Sequence, residues 1–210
     1  MKKFRRIALE GGEGTGKSSL LEALKEELNP EENLFFNEPY RESSTVAAQF
    51  EAWRMGLLEL DEIEEVKLFA ESRAELNHDK ILPGLEKNCR IWQDRSIISS
   101  LVYQGERHGL SRNEILEINM NADPEFSLPD LVIILDGEPL YLKDRLLKNN
   151  RHLDKIDQEP LWFHQQIREG FLKLKNDLPC EFLVLDAFSS VEENKKIILD
   201  FIKEKEKEKN

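Results

Sequence analysis

Cysteine is scarce in this sequence, and long apolar runs are missing from it. Cys89 and Cys180 are the only cysteines among 210 residues, too few for a disulfide framework and without the close spacing of a metal site. No apolar run reaches the ~18 residues that a membrane-spanning helix requires. The basic start, MKKFRR, precedes an apolar stretch that is too short for a signal peptide. We therefore expect a cytoplasmic protein with reduced thiols and no membrane partner.

Positive charge is also in short supply. The chain has 30 Lys and Arg against 42 Asp and Glu, which gives a net charge of −12. Broad nucleic-acid binding needs a basic face that displaces counterions, so we expect no nucleic-acid partner. A small anionic ligand remains compatible with this composition, because one site can be positive on an acidic surface.

Five short apolar runs, rich in β-branched and aromatic residues, predict strands, and helical patterns lie between them. The predicted strands are Phe4–Glu10, Asn33–Asn37, Arg90–Asp94, Leu131–Asp136 and Glu181–Asp186. The predicted helices are Ser18–Leu28, Glu62–Asn77, Asn113–Met120, Pro139–Lys148 and Glu159–Lys175, followed by an amphipathic stretch at Val191–Ile202. This alternation predicts one α/β domain over residues 1–210, with a five-stranded parallel sheet covered by helices on both faces.

Four of the predicted strands end in a carboxylate, at Glu10, Asp94, Asp136 and Asp186. Ligands of open α/β sheets bind beyond the carboxyl ends of the strands. We therefore expect at least two of these acids to face the functional site.

The stretch LEGGEGTGKSS, residues 9–19, has the spacing Gly11-x4-Gly16-Lys17-Ser18 of a P-loop, between a predicted strand and a predicted helix. In a P-loop, backbone N–H groups wrap a phosphate at the helix N-terminus, the lysine reaches the β- and γ-phosphates, and the serine hydroxyl binds Mg²⁺. A strand-end carboxylate such as Asp94 can complete the metal site directly or through water. The pattern predicts a P-loop NTPase three-layer fold. The predicted phosphate-binding residues are Gly11, Gly12, Glu13, Gly14, Thr15, Gly16, Lys17, Ser18 and Ser19, with Ser18 and Asp94 as metal ligands.

A P-loop alone does not separate kinases from GTPases and motor ATPases. The guanine-reading Asn-Lys-x-Asp segment of a GTPase is missing, because the nearest string, residues 194–197 (NKKI), lacks the aspartate and falls in the last predicted helix. Phe69 and Arg73 lie four residues apart, and therefore on one helical face. A ring beside a planar cation suits a base attached to an anion, although a core phenylalanine with a surface arginine is the plainer alternative.

Five segments, in this order, carry a resemblance: EGGEGTGKS, LFAESRAE, DRSIISSLVYQG, PDLVIILD and RHLDKIDQEPLWFHQQIREGF. Over nearly its whole length the chain resembles the thymidylate kinase (dTMP kinase) family of nucleoside monophosphate kinases. The resemblance implies ATP- and Mg²⁺-dependent phosphorylation of dTMP to dTDP, and a homodimer. A related deoxynucleotide or deoxynucleoside kinase with altered base specificity, and an inactive nucleotide-binding module, remain alternatives.

The resemblance also implies a role for each matching residue. Phe69 matches the residue that stacks on thymine, Arg73 the arginine that reaches the base, and Arg95 the arginine on the acceptor phosphate. Tyr103 matches the ring beneath the deoxyribose, and Glu13 an acid that binds the 3′-hydroxyl. The implied acceptor-binding residues are Glu13, Glu38, Pro39, Arg41, Phe69, Arg73, Arg95, Ser99, Ser100, Tyr103 and Gln104.

The loop lacks the arginine that some family members carry there, so positive charge for the transition state must come from elsewhere. The polar segment 145–157 resembles a mobile lid that delivers an arginine, although an exposed basic turn is the alternative. The predicted catalytic residues are Lys17, Asp94, Arg95, Arg145, Lys148 and Arg151.

Two further segments depart from an ordinary pattern. Residues 37–42 read NEPYRE where the family usually has Arg-Glu-Pro-Gly-Gly-Thr, and Arg41 is a candidate for the missing charge. The tail, about 203–210, alternates in charge and is expected to be a solvated, fraying helix end.

Overall fold

Five parallel strands form the centre of the fold in the computed structural model, which describes residues 3–42, 46–148 and 156–208. The strands are β1 (Arg6–Glu10), β2 (Asn33–Asn37), β3 (Arg90–Asp94), β4 (Leu131–Asp136) and β5 (Glu181–Asp186). They lie in the order β2-β3-β1-β4-β5. The predicted five-stranded parallel sheet is confirmed.

Helices cover both faces of this sheet. They are α1 (Lys17–Glu27), α2 (Val46–Arg54), α3 (Glu62–Leu76), α4 (Leu82–Glu86), α5 (Ile97–His108), α6 (Arg112–Ala122), α7 (Pro139–Lys148), α8 (Leu161–Leu174) and α9 (Val191–Lys207), and a π-helical turn, Asn77–Ile81, joins α3 to α4. Within the described ranges, no helix is both long enough and apolar enough to span a bilayer.

Side chains of β4 alternate between the two cores, as the two-residue period of a strand requires. Ile133 packs in the cluster under α1 and α9, and Ile134 packs in the cluster under α5 and α8. Because both faces are covered, β4 is buried at every position up to Asp136. This explains why continuous apolar runs predicted the strands correctly.

The site lies where the chain changes direction across the sheet. From central β1 the chain passes to the β2 and β3 side, and later to β4 and β5 on the other side. Such a reversal leaves a crevice at the carboxyl ends of the strands. The parallel register pairs Leu9 with Asp94, so the residues after β1 and β3 emerge side by side.

Some helices differ from the prediction. The predicted helices did not include α2, the π-helical turn, α4 or α5, and β1 begins at Arg6 although Phe4 is buried at 2% exposure. Helix α9 continues to Lys207, and Glu206 pairs with Arg90 at 2.5 Å. The first part of the charged tail is therefore attached to the sheet by an ion pair.

Candidate active site

A cleft of about 740 Å³ opens at the carboxyl ends of the central strands. The glycine loop forms one wall, and α2, α3 and α5 contribute the other. The predicted site residues that line it are Glu13, Gly14, Thr15, Gly16, Lys17, Ser18, Ser19, Glu38, Pro39, Arg41, Phe69, Arg73, Asp94, Arg95, Ser99, Ser100, Tyr103, Gln104 and Arg145. The structure thus brings the predicted phosphate-binding and acceptor-binding residues into one space.

Two predicted loop residues line a different space. Gly11 and Gly12 border a cavity of about 30 Å³ on the other side of the loop, next to Asp136 and Arg168. Arg168 Nε lies 2.7 Å from Asp136 Oδ1, so this strand-end acid is already paired. Of the four strand-end acids, Asp94 lines the cleft and Asp136 lines the smaller cavity against the loop, so two of them lie at the loop.

The backbone of the loop explains its glycines. Gly11 has φ +136°, and a Cβ there would lie 2.5 Å from the Leu135 carbonyl oxygen. Gly16 has φ +93° and precedes α1, which places the positive end of an 11-residue helix at the loop. Such a loop can wrap a phosphate with its backbone N–H groups.

Lys17 folds back into the loop. Its Nζ donates to the carbonyl oxygens of Gly11 at 3.0 Å and Gly12 at 2.9 Å. Burial lowers the pKa of Lys17 to about 8, and the nearby positive charge of Arg95 acts in the same direction. A bound polyphosphate would oppose this shift by supplying negative charge.

Ser18 and Asp94 form the pair predicted for the metal. Ser18 Oγ donates to Asp94 Oδ2 at 2.9 Å, at the start of α1 and the end of β3. Hydroxyl and carboxylate oxygens suit Mg²⁺, which keeps several waters and is held by one or two carboxylates plus substrate phosphates. Among the described residues, no group of three or more His, Cys, Asp or Glu residues is placed to hold a metal ion.

Arg95 occupies a strained backbone position between β3 and α5. Its φ is +70°, in the left-handed region that non-glycine residues rarely adopt. Its guanidinium lies over the Tyr103 ring at 5.2 Å and donates to Ser99 Oγ at 3.0 Å and to the Glu13 carboxylate. Burial alone would lower the pKa of Arg95, but the surrounding charges, Glu13 foremost and then Tyr103, Glu10 and Asp94, together raise that pKa and keep the group cationic.

Glu10 lies directly behind Arg95 and is fully buried at the end of β1. Its two carboxylate oxygens accept the hydroxyls of Ser96 at 2.7 Å and Ser99 at 2.6 Å. Burial raises the pKa of Glu10 to about 7, against the opposing effect of these hydrogen bonds and of Arg95. The sequence predicted Glu10 only as a strand-end acid and did not predict its hydrogen bonds to Ser96 and Ser99.

Arg73 is held at the other end of the cleft by a buried polar network. Its Nε donates to Glu38 Oε2 at 2.9 Å, and both side chains are 5% exposed. Ser100 Oγ accepts from Arg73 at 3.0 Å, and the Asn119 side chain accepts from its other terminal nitrogen. Gln93 donates to the remaining Glu38 oxygen at 3.0 Å. Gln93 and Asn119 are functional candidates that the sequence pattern missed.

Three aromatic rings from α2 and α3 form a wall of the cleft. The Phe69 ring meets Phe50 at 5.0 Å and Trp53 at 5.7 Å between centroids, both edge to face. Each such pair contributes ~0.5–1.5 kcal/mol of stability beyond that from burying the two rings. Because α2 was not predicted, Phe50 and Trp53 were not identified as cleft residues.

The predicted basic residues outside the loop lie in different places relative to the cleft. Arg145 of α7 donates to the Ala187 carbonyl oxygen at 3.1 Å and approaches Gly16. Arg41 is exposed at the rim of the cleft, and Lys148 is exposed at the end of α7. Arg151 lies outside the described residues, as does most of the predicted lid.

A glycine loop at the switch point of a parallel sheet defines this protein as a P-loop nucleotide-binding α/β protein. The family model for thymidylate kinase matches residues 9–198, most of the chain. The chain therefore belongs to the thymidylate kinase family, whose members are phosphotransferases, and the resemblance expected from the sequence is confirmed.

Curated relatives agree along nearly the full length. The chain is 34% identical over 207 residues to the thymidylate kinase of Staphylococcus haemolyticus, covering 94% of this chain and 98% of the relative. It is 35% identical over 208 residues to that of Staphylococcus epidermidis, with the same coverage. Similarity to the thymidylate kinase of Chlamydia trachomatis serovar L2 is 34% over 197 residues, covering 89% of this chain and 92% of the relative.

Proposed function

We propose that this chain transfers the γ-phosphoryl group of ATP to dTMP, which yields ADP and dTDP. Membership of the thymidylate kinase family supports this reaction. The observation that carries it is the meeting of the loop and Arg95 in one cleft: the Arg95 guanidinium donates to the Gly11 carbonyl oxygen at 3.3 Å. A donor phosphate on the loop and an acceptor phosphate on Arg95 would therefore lie next to each other.

The transfer needs positioning and charge more than covalent chemistry. The acceptor phosphate is already ionised, so no general base has to remove a proton. Lys17 would bind the donor β- and γ-phosphates, and Arg95 would bind the acceptor phosphate. Together they would stabilise the charge that builds up between the two nucleotides.

We assign a Mg²⁺ site to Ser18 and Asp94, because their oxygens are of the type that this ion prefers and they lie 2.9 Å apart beside the loop. When bound, the ion would neutralise negative charge on the phosphates. The rest of its coordination shell would come from phosphate oxygens and water.

Base recognition would fall to Phe69, Arg73 and Gln104. Phe69 offers a ring for stacking, and Arg73 offers only donors, which suit the carbonyl oxygens of thymine and not the amino group of cytosine. Gln104 is 2% exposed, and its Oε1 has no hydrogen-bond partner among the described residues. An incoming N–H group, such as that of thymine N3, would satisfy this oxygen.

The loop carries no arginine, so we propose that Arg145, Lys148 or Arg151 supplies transition-state charge when the segment 145–157 closes as a lid. The position of Arg145 against the loop supports this role. Alanine at the responsible residue should lower kcat at least ~10-fold, a conservative fraction of the usual effect of an arginine finger. If none of the three alanine variants does so, the lid hypothesis is wrong.

Arg41 is proposed to contribute charge at the acceptor end, in place of the arginine missing at position 37. Arg41→Ala should raise the KM for dTMP, and an unchanged KM would refute this role. Neighbouring Tyr40 is buried in the core and should not be replaced in the same test.

We further propose a cytoplasmic homodimer without nucleic-acid or membrane partners. The family resemblance supports the dimer, and the net charge of −12 argues against nucleic acid. Light scattering should give twice the mass of one chain, and the mass of a single chain would contradict the dimer.

Transfer of a labelled γ-phosphate tests the reaction directly. With γ-labelled ATP and dTMP, the label should appear in dTDP. Lys17→Ala is the matched control, because it removes the loop cation while leaving the acceptor pocket intact. Label released only as inorganic phosphate, or retained in ATP, would exclude the proposed transfer.

A further inference from the structure

The buried carboxyl of Glu10 lies one step behind Arg95. Leu9 pairs with Asp94 in the parallel register, and the Arg95 backbone N–H donates to the Leu9 carbonyl oxygen at 3.0 Å. Glu10, the last residue of β1, and Arg95, the residue after β3, are therefore placed side by side, with Arg95 in the cleft and Glu10 behind it. Glu10 is 0% exposed and does not line the cleft, so it does not touch a substrate there.

Ser99 connects the two charged groups. Its Oγ lies 2.6 Å from Glu10 Oε2 and 3.0 Å from Arg95 Nη1. A serine hydroxyl has one proton and two lone pairs. Because the Ser99 O–H donates its hydrogen bond to Glu10, the lone pairs of Ser99 are left to accept the Arg95 N–H.

Arg95 also has a competing partner in the cleft itself. Its other terminal nitrogen donates to Glu13, which Tyr103 binds as well, at 3.2 Å. The first nitrogen is held against a turn toward Glu13 by Ser99 and, at a longer 3.3 Å, by the Gly11 carbonyl oxygen. The contact through Ser99 holds one edge of the plane against the buried side of the cleft.

We propose that Glu10 is a positioning residue that orients Arg95 for the acceptor phosphate through Ser99. This inference rests on the proposed function, in which Arg95 binds that phosphate. Ser96 fixes the other Glu10 oxygen at 2.7 Å and also caps α5, accepting from the Ile98 N–H at 3.2 Å. Hydrogen bonds thus connect the start of α5, the end of β1 and the acceptor arginine.

Binding of dTMP and of thymidine tests the proposal, because the two ligands differ only in the phosphate. Glu10→Gln and Ser99→Ala should each weaken dTMP binding about 10-fold in titration calorimetry and leave thymidine binding within two-fold. In the double variant the loss should equal that of Ser99→Ala alone, since Glu10 acts through Ser99. The KM for ATP should stay unchanged in all three.

Ser100→Ala is the matched control. Ser100 is the next residue of α5 but contacts Arg73 and not Arg95, so its loss should weaken dTMP and thymidine binding in the same proportion. If Glu10→Gln does not fold, the ratio of the two affinities in Ser99→Ala still decides the question.

The outcomes separate this inference from the proposed function. If the wild-type protein binds dTMP no more tightly than thymidine, the phosphate site at Arg95 is wrong. If the wild type prefers dTMP and both variants keep that preference, or if their losses add in the double variant, only the positioning role of Glu10 is overturned.

Discussion

Glu10 makes the stability of this fold depend on pH in a calculable way. Burial raises its pKa from the ordinary 4.5 to about 7, so the native state keeps the proton at pH values where the unfolded chain has lost it. The contribution of this group to the free energy of unfolding is complete below pH 4.5. It decreases as the pH rises from 4.5 and is lost above about pH 7. At about 1.4 kcal/mol per pKa unit, the loss amounts to roughly 3 kcal/mol.

Glu10→Gln removes this ionisation and keeps the side-chain volume. The free energy of unfolding of the wild type, relative to the variant, should therefore fall by roughly 3 kcal/mol between pH 4.5 and pH 8. Urea titrations followed by tryptophan fluorescence measure both proteins at each pH. All other titrating groups are common to the two proteins and cancel. A difference that is constant over this range would show that Glu10 does not have a raised pKa in the native state.

Three further predictions follow from the geometry. Gly11→Ala should lower the free energy of unfolding by ~2 kcal/mol or more and weaken ATP binding, because its Cβ would lie 2.5 Å from the Leu135 carbonyl oxygen. Gly12→Ala is the control: a Cβ there meets nothing within 4 Å, so its free energy of unfolding should stay within ~0.5 kcal/mol of the wild type. Equal losses in the two variants would contradict this prediction. Glu38→Gln leaves the charge of Arg73 without its buried counter-ion and should cost ~3 kcal/mol in urea unfolding; a cost below ~1 kcal/mol would show that Asn119 and Ser100 suffice. Phe69→Ala should raise the KM for dTMP ~10-fold with little change in the KM for ATP, as measured by steady-state kinetics. The reverse result would show that the dTMP base does not stack on Phe69.

The sheet was predictable because its strands are short, apolar and separated by strong helical patterns. Four of the five strands have the predicted bounds, and only β1 is shorter, since Phe4 is buried without joining the ladder. Helix α2 was missed because it buries only Val46 and Phe50. Two buried side chains in nine residues give too weak a period for the pattern to reveal.

The loop residues of the site could be predicted, but the supporting contacts could not. Residues 11–19 are local, so their spacing alone identifies a phosphate loop. The network around Arg73 joins it to Glu38 across 35 residues and to Asn119 across 46. Glu10 reaches Ser99 across 89 residues. Pairings at such separations are set by strand register and helix packing, which a single sequence does not encode in any local pattern.

The choice of acceptor decides whether this chain is a dTMP kinase. ADP release from ATP should be measured in parallel with dTMP, thymidine, dUMP, dCMP and dGMP under identical conditions. The account predicts the highest kcat/KM for dTMP, a lower value for dUMP and little release with dCMP, dGMP or thymidine. Preference for thymidine or dCMP, or ADP release that no acceptor raises above background, would contradict it.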